Sequence, residues 1–247
     1  MIGWLIYSAV DVEKNKYYIQ MYKDKFKEHF IEIKLVIVEE LENMEQYVKC
    51  NKVDFAINRS RNHIMGELLE QKGVRVFNSS SVTRIANNKG ITYEFLKDVV
   101  PFLAVKYGNE IIESKIENKG FEYPYVIKSC SGHGGSQVFL VNNSKEEEQA
   151  VKAMNGQEYV VQQCCSDLGR DVRVYIIGNK IIKAVLRTST ESFKSNYSLG
   201  GKVQEYTLNN EEKAMVERIV DKLPLDYAGI DFTFNNGKAV FNEIEDA

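Results

Sequence analysis

Short apolar runs alternate with longer amphipathic segments in the first third of the chain. Residues 4–8, 31–38, 53–57 and 74–77 are apolar or partly alternating, which predicts strands. Residues 13–30 place apolar side chains at near-helical spacing, and residues 63–71 do the same before Gly73, a residue typical of a helix end. Strands separated by helices predict a parallel sheet covered by helices.

The pattern changes beyond residue 80, where strands pair through turns. Two short helices are predicted over 82–88 and 92–99, a longer one over 144–154, and strands over 102–105, 125–128, 137–141 and 158–163. Further on, β-rich runs joined by Gly178-Asn179 and by residues 235–237 predict two antiparallel hairpins, separated by a helix that ends before Pro224. The pattern therefore predicts an α/β lobe followed by two α+β lobes.

Composition narrows the class of protein. The 247 residues are 44% hydrophobic and 27% charged with a formal net charge of −3, which excludes a disordered chain and argues against binding nucleic acid through bulk charge. No apolar run approaches the ~20 residues of a membrane helix, and the start lacks a basic leader. Four cysteines without a C-x-x-C pair and three scattered histidines give no zinc spacing. We expect a cytoplasmic protein with reduced thiols.

A glycine-rich turn at residues 130–136 is a candidate phosphate site. Glycines allow backbone N–H groups to approach an anion closely, although a flexible hairpin tip is the alternative interpretation. The sequence contains no G-x-x-x-x-G-K-[ST], H-E-x-x-H or G-x-S-x-G motif.

Three acids near the end of the chain form a candidate metal site. Glu243 and Glu245 leave the same face of a strand, and Asp231 lies across the turn of the same hairpin. Carboxylates in one layer repel unless a cation lies between them, and hard oxygen ligands suit Mg²⁺. The alternative is a solvated polar face of an edge hairpin.

The order of several stretches resembles the ATP-grasp enzymes, and within them the RimK-type carboxylate–amine ligases. The stretches are Asn87-Asn88-Lys89, residues 125–128 with the loop at 132–135, and residues 161–164, 171–174, 186–187, 193–196, 199–201, 229–232 and 242–245. The resemblance implies an ATP-grasp fold in which two α+β lobes enclose ATP. An N-terminal parallel-sheet lobe would span 1–88, a small lobe 89–163, and a C-terminal lobe with the metal site 164–247.

The resemblance also implies a role for each matching residue. Arg187 would be catalytic, since a permanently charged planar fork can hold phosphoryl oxygens. The metal ligands would be Asp231, Glu243 and Glu245. The nucleotide would be bound by Lys89, Lys128, Gly134, Gly135, Gln163, Cys164, Asp171, Lys194 and Asn196.

Several of these assignments have a structural alternative. Lys89 and Lys128 could be surface lysines, Cys164 a core residue, Asp171 a turn residue and Arg187 an exposed strand end. Arg173 either pairs with Asp171 or contacts substrate. Arg59, Arg61 and His133 are expected to be solvated loop residues. The alternatives are that the loop after the third strand faces a substrate in this architecture, and that His133, in the glycine loop, contacts phosphate.

The implied reaction uses ATP and two Mg²⁺ ions, with Mn²⁺ as a substitute. A carboxylate attacks the γ-phosphate, and an amine then displaces phosphate from the acyl phosphate to form an amide. The partners would be an amino acid or small carboxylate and an amine acceptor, either a small molecule, a peptide or a protein terminus. No nucleic acid or membrane partner is expected, and a homo-oligomer stays open. A degenerate nucleotide-binding module and a phosphotransferase on the same fold are the alternatives.

Three residues and the ending of the sequence depart from the family pattern. Glu245 stands where Asn is usual, Lys194 replaces Arg and loses the bidentate fork, and Gln163 replaces a common Glu. The family continues into a loop and a final helix, whereas this sequence stops at Ala247. That ending favours the degenerate module if the tail is needed to close the active site.

Overall fold

The computed structural model describes residues 1–108, 121–135, 137–190, 193 and 201–246. Its Cα positions form two compact units. The first contains residues 1–84, 225–228 and 246–247, and the second contains residues 85–224 and 229–245. The division into three lobes stays a prediction.

The first unit is built on a four-stranded parallel sheet in the order β2-β1-β3-β4, as the alternating pattern predicted. The strands are β1 (Ile2–Tyr7), β2 (Glu32–Ile37), β3 (Phe55–Asn58) and β4 (Arg75–Phe77). The helices are α1 (Ala9–Val12), α2 (Lys16–Glu28), α3 (Met44–Cys50) and α4 (His63–Gln71), with a 3₁₀ turn at Val38–Glu40. Helix α5 (Ser80–Ala86) spans the boundary between the units.

Strand β1 is apolar throughout because both of its faces are covered. Trp4 and Ile6 pack in one hydrophobic cluster, whereas Leu5 and Tyr7 pack in another, and all four are buried. A strand buried on two sides has no polar face, so its sequence gives a continuous apolar run rather than alternation.

The second unit contains two antiparallel sheets. The first has the order β5-β8-β6-β7 and consists of β5 (Val105–Tyr107), β6 (Tyr125–Ser129), β7 (Val138–Val141) and β8 (Tyr159–Gln163). Helix α6 (Lys89–Leu96) precedes it, and α7 (Ser144–Met154) packs Ala150 and Met154 against Tyr125 and Ile127.

The other sheet has five strands in the order β11-β10-β9-β12-β13. They are β9 (Arg170–Ile177), β10 (Lys180–Thr188), β11 (Lys202–Glu205), β12 (Tyr227–Asn235) and β13 (Lys238–Glu245). Helix α8 (Asn210–Lys222) starts in a capping box, in which the Asn209 side chain accepts from the Glu212 N–H and the Glu212 side chain accepts from the Asn209 N–H.

Both predicted hairpins are present, and their turns have the backbone that the sequence requires. Gly178 and Asn179 have φ of 55° and 65°, and Asn236 and Gly237 have φ of 52° and 73°. Two-residue turns with positive φ match the twist of the flanking strands, and Asn and Gly tolerate that conformation best.

A β-bulge interrupts the β12–β13 pairing. Asp231 lies opposite Glu243, but the next residue, Phe232, lies opposite Phe241, so Asn242 is the extra residue. The bulge turns two consecutive side chains, those of Asn242 and Glu243, toward the same side of the sheet. Within the described ranges, no helix combines the length and the apolar character that crossing a membrane requires.

Candidate functional site

A cleft in the second unit is lined by both antiparallel sheets and encloses about 820 Å³, including the solvent at its mouth. One wall carries two lysines and the glycine turn, and the other carries acids. The charged and glycine residues of the lining are Lys89, Lys128, Gly132, Gly134, Gly135, Asp171, Glu243 and Glu245. The structure therefore brings most of the predicted site residues together, although what they bind stays a prediction.

Lys128 lies on the inner wall of the cleft and is 6% exposed. Its Nζ donates to Asn242 Oδ1 at 2.7 Å, which fixes the ammonium against the bulge of β13. Burial lowers the pKa of Lys128 to about 8, while the charge of Glu243 opposes that shift. Lys128 is thus a buried cation that is still mostly protonated at pH 7, and a bound anion would stabilise its charged form.

Lys89 starts helix α6 and reaches into the same cleft. Its Nζ donates to the Gly132 carbonyl oxygen at 2.7 Å and lies 3.5 Å from Glu243 Oε2. Lys89 therefore joins the glycine turn to the acidic wall. The interpretation of Lys89 and Lys128 as surface lysines is wrong, since both are largely buried.

The glycine turn connects β6 to β7 with two residues in the left-handed region. Gly134 and Gly135 have φ of 62° and 74°, which a residue with a Cβ rarely adopts. A Cβ at Gly134 would meet no atom within 4 Å, so the conformation rather than space requires glycine there. The described part of this turn gives the cleft a wall of backbone that side chains do not fill.

Asp231 is the centre of a buried ionic network rather than an open carboxylate. It is 0% exposed and accepts from Arg173 Nε, Arg173 Nη2 and Arg187 Nη2, each at 2.7 Å. Burial alone would raise its pKa, but the two guanidinium groups hold the pKa of Asp231 below its usual value.

Arg187 connects that network to the cleft. Its Nε donates to Asp171 Oδ1 at 2.6 Å and its Nη2 to Asp171 Oδ2 at 2.9 Å, and Asp171 lines the cleft. Arg187 is 7% exposed, so its interpretation as an exposed strand end is wrong. From the sequence, Arg173 could either pair with Asp171 or contact substrate. In the structure it pairs with Asp231.

Glu243 and Glu245 line the cleft together with Asp171, and they alone of these three carboxylates lie on β13. Glu245 lies 3.8 Å from Arg173 Nη2, and burial, followed by the charges of Glu243 and Asp231, raises the pKa of Glu245 to about 7. Among the described residues, no group of three or more His, Cys, Asp or Glu side chains could hold a metal by itself. Mg²⁺ is commonly held by one or two carboxylates together with phosphates and water, and Glu243 and Glu245 fit that donor set.

The remaining predicted residues divide into three groups. Gln163 lines the cleft, and its N–H donates to the Ala104 carbonyl at 2.9 Å. The cysteine that lines the cleft is Cys165 rather than Cys164. Burial raises the pKa of Cys164 to about 11. Lys194 and Asn196 lie outside the described residues. His133 is half-buried beside the glycine turn.

Sequence reasoning missed part of the site. Asn242 and Cys165 were not singled out, although both lie next to residues that were. Strand alternation would place Asn242 on the opposite side from Glu243, and only the bulge brings it into the cleft. The sequence alone gave no signal for the apolar part of the lining, which is formed by Leu103, Val126, Val138, Leu168 and Phe193.

Comparisons with known proteins identify the family of most of this chain. Residues 80–246 match the model of the RimK-like ATP-grasp domain. An uncharacterized protein of Mycoplasma pneumoniae is 31% identical over 247 residues, covering 98% of this chain and 83% of the relative. Beta-citrylglutamate synthase B of Danio rerio is 30% identical over 175 residues, covering 68% of this chain and 43% of the relative.

A solved structure gives the same result for the fold. The D-alanine–D-alanine ligase of Bacillus anthracis complexed with ATP superposes with a TM-score of 0.76 at 17% identity, covering 100% of this chain and 86% of that one. The predicted fold class is confirmed, and the chain belongs to the RimK-like ATP-grasp family.

Proposed function

We propose that this protein is an ATP- and Mg²⁺-dependent ligase that joins a carboxylate to an amine through an acyl phosphate. The observation that carries the proposal is the pairing of two buried lysines and a glycine turn with two carboxylates in one cleft. A triphosphate with its metal needs both: cations and N–H groups for the phosphates, and oxygen ligands for the ion.

The cationic wall would bind and orient the phosphates. Lys89 and Lys128 supply positive charge inside a cleft of low dielectric, where each ionic contact is stronger than in water. The glycine turn allows backbone N–H groups to approach phosphoryl oxygens. Gln163 and its neighbours on β8 would meet the adenine.

The acidic wall would hold the metal. Glu243 and Glu245 are the proposed ligands, and a bound Mg²⁺ would neutralise charge on the phosphoryl oxygens. Asp231 accepts three hydrogen bonds from arginines, so its proposed part is to hold the arginines in place behind these ligands.

Arg187 is the proposed catalytic residue. Its Nε and Nη2 are engaged by Asp171 and Asp231, so Nη1 is the nitrogen that carries none of these bonds. We expect Nη1 to contact the transferring phosphoryl group. The two carboxylates fix the guanidinium plane in advance, which lowers the reorganisation needed in the transition state.

The proposed substrates follow from the ligase relatives. The name of the Danio rerio relative, beta-citrylglutamate synthase B, describes a product that joins an organic acid to an amino acid. For this protein we propose an amino acid or small carboxylate and an amine acceptor, which includes a peptide or protein terminus.

The test is a turnover assay with ATP, Mg²⁺ and pools of amino acids and small carboxylates. We expect ADP, phosphate and a product whose mass equals the two substrates minus water. AMP with pyrophosphate would refute the acyl-phosphate mechanism. Nucleotide binding without turnover would support the degenerate module, and a phosphorylated product without an amide would support a phosphotransferase.

A variant pair tests the role of Arg187. Arg187→Lys keeps the charge but loses the planar fork, so phosphate release should fall by about a hundredfold while ATP affinity stays within about tenfold. Lys183→Gln is the control, because Lys183 lies on the same strand with an exposed side chain. Loss of ATP affinity with unchanged turnover per bound ATP would show that Arg187 is not catalytic.

A further inference from the structure

The side chain of Asn242 holds the charge of Lys128 from the opposite wall of the cleft. Lys128 Nζ donates to Asn242 Oδ1 at 2.7 Å, a contact that joins β6 of one antiparallel sheet to β13 of the other. An ammonium group can only donate, so the amide must present its oxygen rather than its nitrogen. The place of this charge in the cleft therefore depends on a side chain that follows the bulge of β13.

The partner of Lys128 is neutral, which keeps the lysine charge available to a ligand. A carboxylate at the same distance would form an ion pair and oppose the attraction of a bound anion. An ammonium group has three donors, and Asn242 Oδ1 accepts from one of them. With the residues that the structure describes, Nζ makes no second hydrogen bond and no ion pair, so two donors point at the space of the cleft.

The backbone of Asn242 is held separately from its side chain. Tyr93 OH, on α6, donates to the Asn242 carbonyl at 2.6 Å, and Gln162 Nε2, on β8, donates to Tyr93 OH at 3.0 Å. Tyr93 and Gln162 are both buried, and the Tyr93 ring lies 6.1 Å from the Phe241 ring between centroids. A buried chain of satisfied hydrogen bonds is rigid, so the bulge presents the amide of Asn242 in a fixed position.

A lysine depends on such a partner because its four-carbon stem is flexible. Ordering that stem when a ligand binds costs free energy, and the bond to Asn242 orders it beforehand. Lys89 in the same cleft is also held by a neutral oxygen, the Gly132 carbonyl at 2.7 Å, but it lies 3.5 Å from the Glu243 carboxylate as well. Lys128 is thus the lysine of this pair whose placement depends on one neutral acceptor.

Two other roles for Asn242 do not fit its contacts. A metal ligand would direct Oδ1 at the ion, but this oxygen accepts from the Lys128 ammonium, and two cations at one oxygen would repel. A residue that only maintains the bulge needs no side-chain oxygen, because Tyr93 holds the bulge through the backbone carbonyl. The amide oxygen therefore acts on Lys128.

We propose that Asn242 is a positioning residue for nucleotide binding, which holds the Lys128 ammonium where it meets the phosphates. The inference rests on the proposed function, because it takes the ligand of this cleft to be a nucleotide. It requires that Asn242 act through Lys128 and through no other group. Removing the amide must then matter only while the lysine is present.

The experiment is a double-mutant cycle on nucleotide affinity. The dissociation constant of a non-hydrolysable ATP analogue with Mg²⁺ is measured by calorimetry at pH 7 for the wild type, Asn242→Ala, Lys128→Met and the double variant. Asn242→Ala should weaken binding by about tenfold, since no charge-assisted hydrogen bond then orders the ammonium. In the Lys128→Met background the same substitution should change affinity by less than about twofold.

Two further variants make the cycle specific. Lys238→Ala is the matched control, because Lys238 lies on the same strand with an exposed side chain and is not part of the cleft lining. It should leave affinity within about twofold in both backgrounds. Asn242→Ser replaces Asn242→Ala if circular dichroism shows that the latter is unfolded, and its shorter side chain should weaken binding in the same lysine-dependent way.

The contrary outcomes separate this inference from the ligase proposal. A folded Asn242 variant with affinity within twofold of the wild type overturns the inference. An equal loss in both backgrounds also overturns it, since Asn242 would then act through another group, such as the neighbouring Glu243 and a metal. Both results leave the ligase proposal standing, whereas a wild type that binds no nucleotide overturns the two together.

Discussion

Raising the pH from 7 to 9 should weaken nucleotide binding by removing the charge of one lysine. Lys128 is nearly enclosed in the cleft, its Nζ donates to Asn242 Oδ1, and burial lowers its pKa to about 8. Only the ammonium form attracts phosphate. A nucleotide that requires this form must bind less tightly once the lysine is neutral.

The magnitude follows from the fraction of protein that carries the charge. With a pKa of about 8, the apparent dissociation constant is proportional to 1 + 10^(pH − 8). It therefore rises by about tenfold between pH 7 and pH 9. That change equals ~1.4 kcal/mol of binding free energy. ATP is already fully ionised over most of this range, so the change reports on the protein.

The assay is calorimetry or fluorescence with a non-hydrolysable ATP analogue at constant Mg²⁺ and ionic strength. Lys128→Arg is the control, because a guanidinium stays charged at pH 9 and its affinity should not change with pH. A wild-type dissociation constant that stays within twofold from pH 7 to pH 9 would refute the argument. An equal loss in Lys128→Arg would assign the effect to another group.

The stability of the unliganded protein is an independent check that the pKa of Lys128 is lowered rather than raised. Lys128 has a lower pKa in the folded than in the unfolded chain, so between pH 8 and about 10 the unfolded state binds more protons. Its contribution to stability therefore increases with pH over that range. The free energy of unfolding of the wild type should rise relative to Lys128→Met between pH 8 and 9.5.

Two further predictions concern stability. Asp231→Asn should lower the free energy of unfolding by about 3–5 kcal/mol, because it removes the buried carboxylate charge that Arg173 and Arg187 share. In urea denaturation the control Glu205→Gln, whose ion pair is exposed, should lose less than ~1 kcal/mol. A loss below ~1 kcal/mol for Asp231→Asn would contradict the network. Since the arginines lower the pKa of Asp231, its stabilisation should be lost as the pH falls through that lowered pKa. Tyr93→Phe should lower the free energy of unfolding by about 1–2 kcal/mol, because the buried hydroxyl donates to the Asn242 carbonyl at 2.6 Å and accepts from Gln162 at 3.0 Å. An unchanged denaturation midpoint would contradict this prediction.

The sequence predicted those parts of the fold that local chemistry determines. Helix His63–Gln71 was predicted with its exact ends, because its apolar side chains recur at helical spacing and Gly73 follows. The hairpins were predicted from turns that only Asn and Gly accommodate easily. By contrast, α3 and β11 were missed, since β11 is exposed along its whole length and therefore has no apolar period.

The site was predictable as a set of residue types and not as a set of contacts. The family resemblance indicated Arg187 and Asp231, but their mutual bond depends on how β10, β9 and β12 align across a sheet. The contact of the Arg59 guanidinium with the Tyr227 ring likewise joins residues that are distant in sequence. Long-range packing of this kind leaves no local pattern in a single sequence.

The bulge in β13 has a consequence for how this hairpin tolerates change. Asn242 and Glu243 enter the cleft together only because one strand carries one residue more than its partner. Deleting a single position between the Asn236-Gly237 turn and Asn242 would restore strict alternation and rotate either the amide or the carboxylate into the hydrophobic interior. The length of this segment is therefore as much a determinant of the site as its chemistry, and insertions or deletions here should be far less tolerated than substitutions.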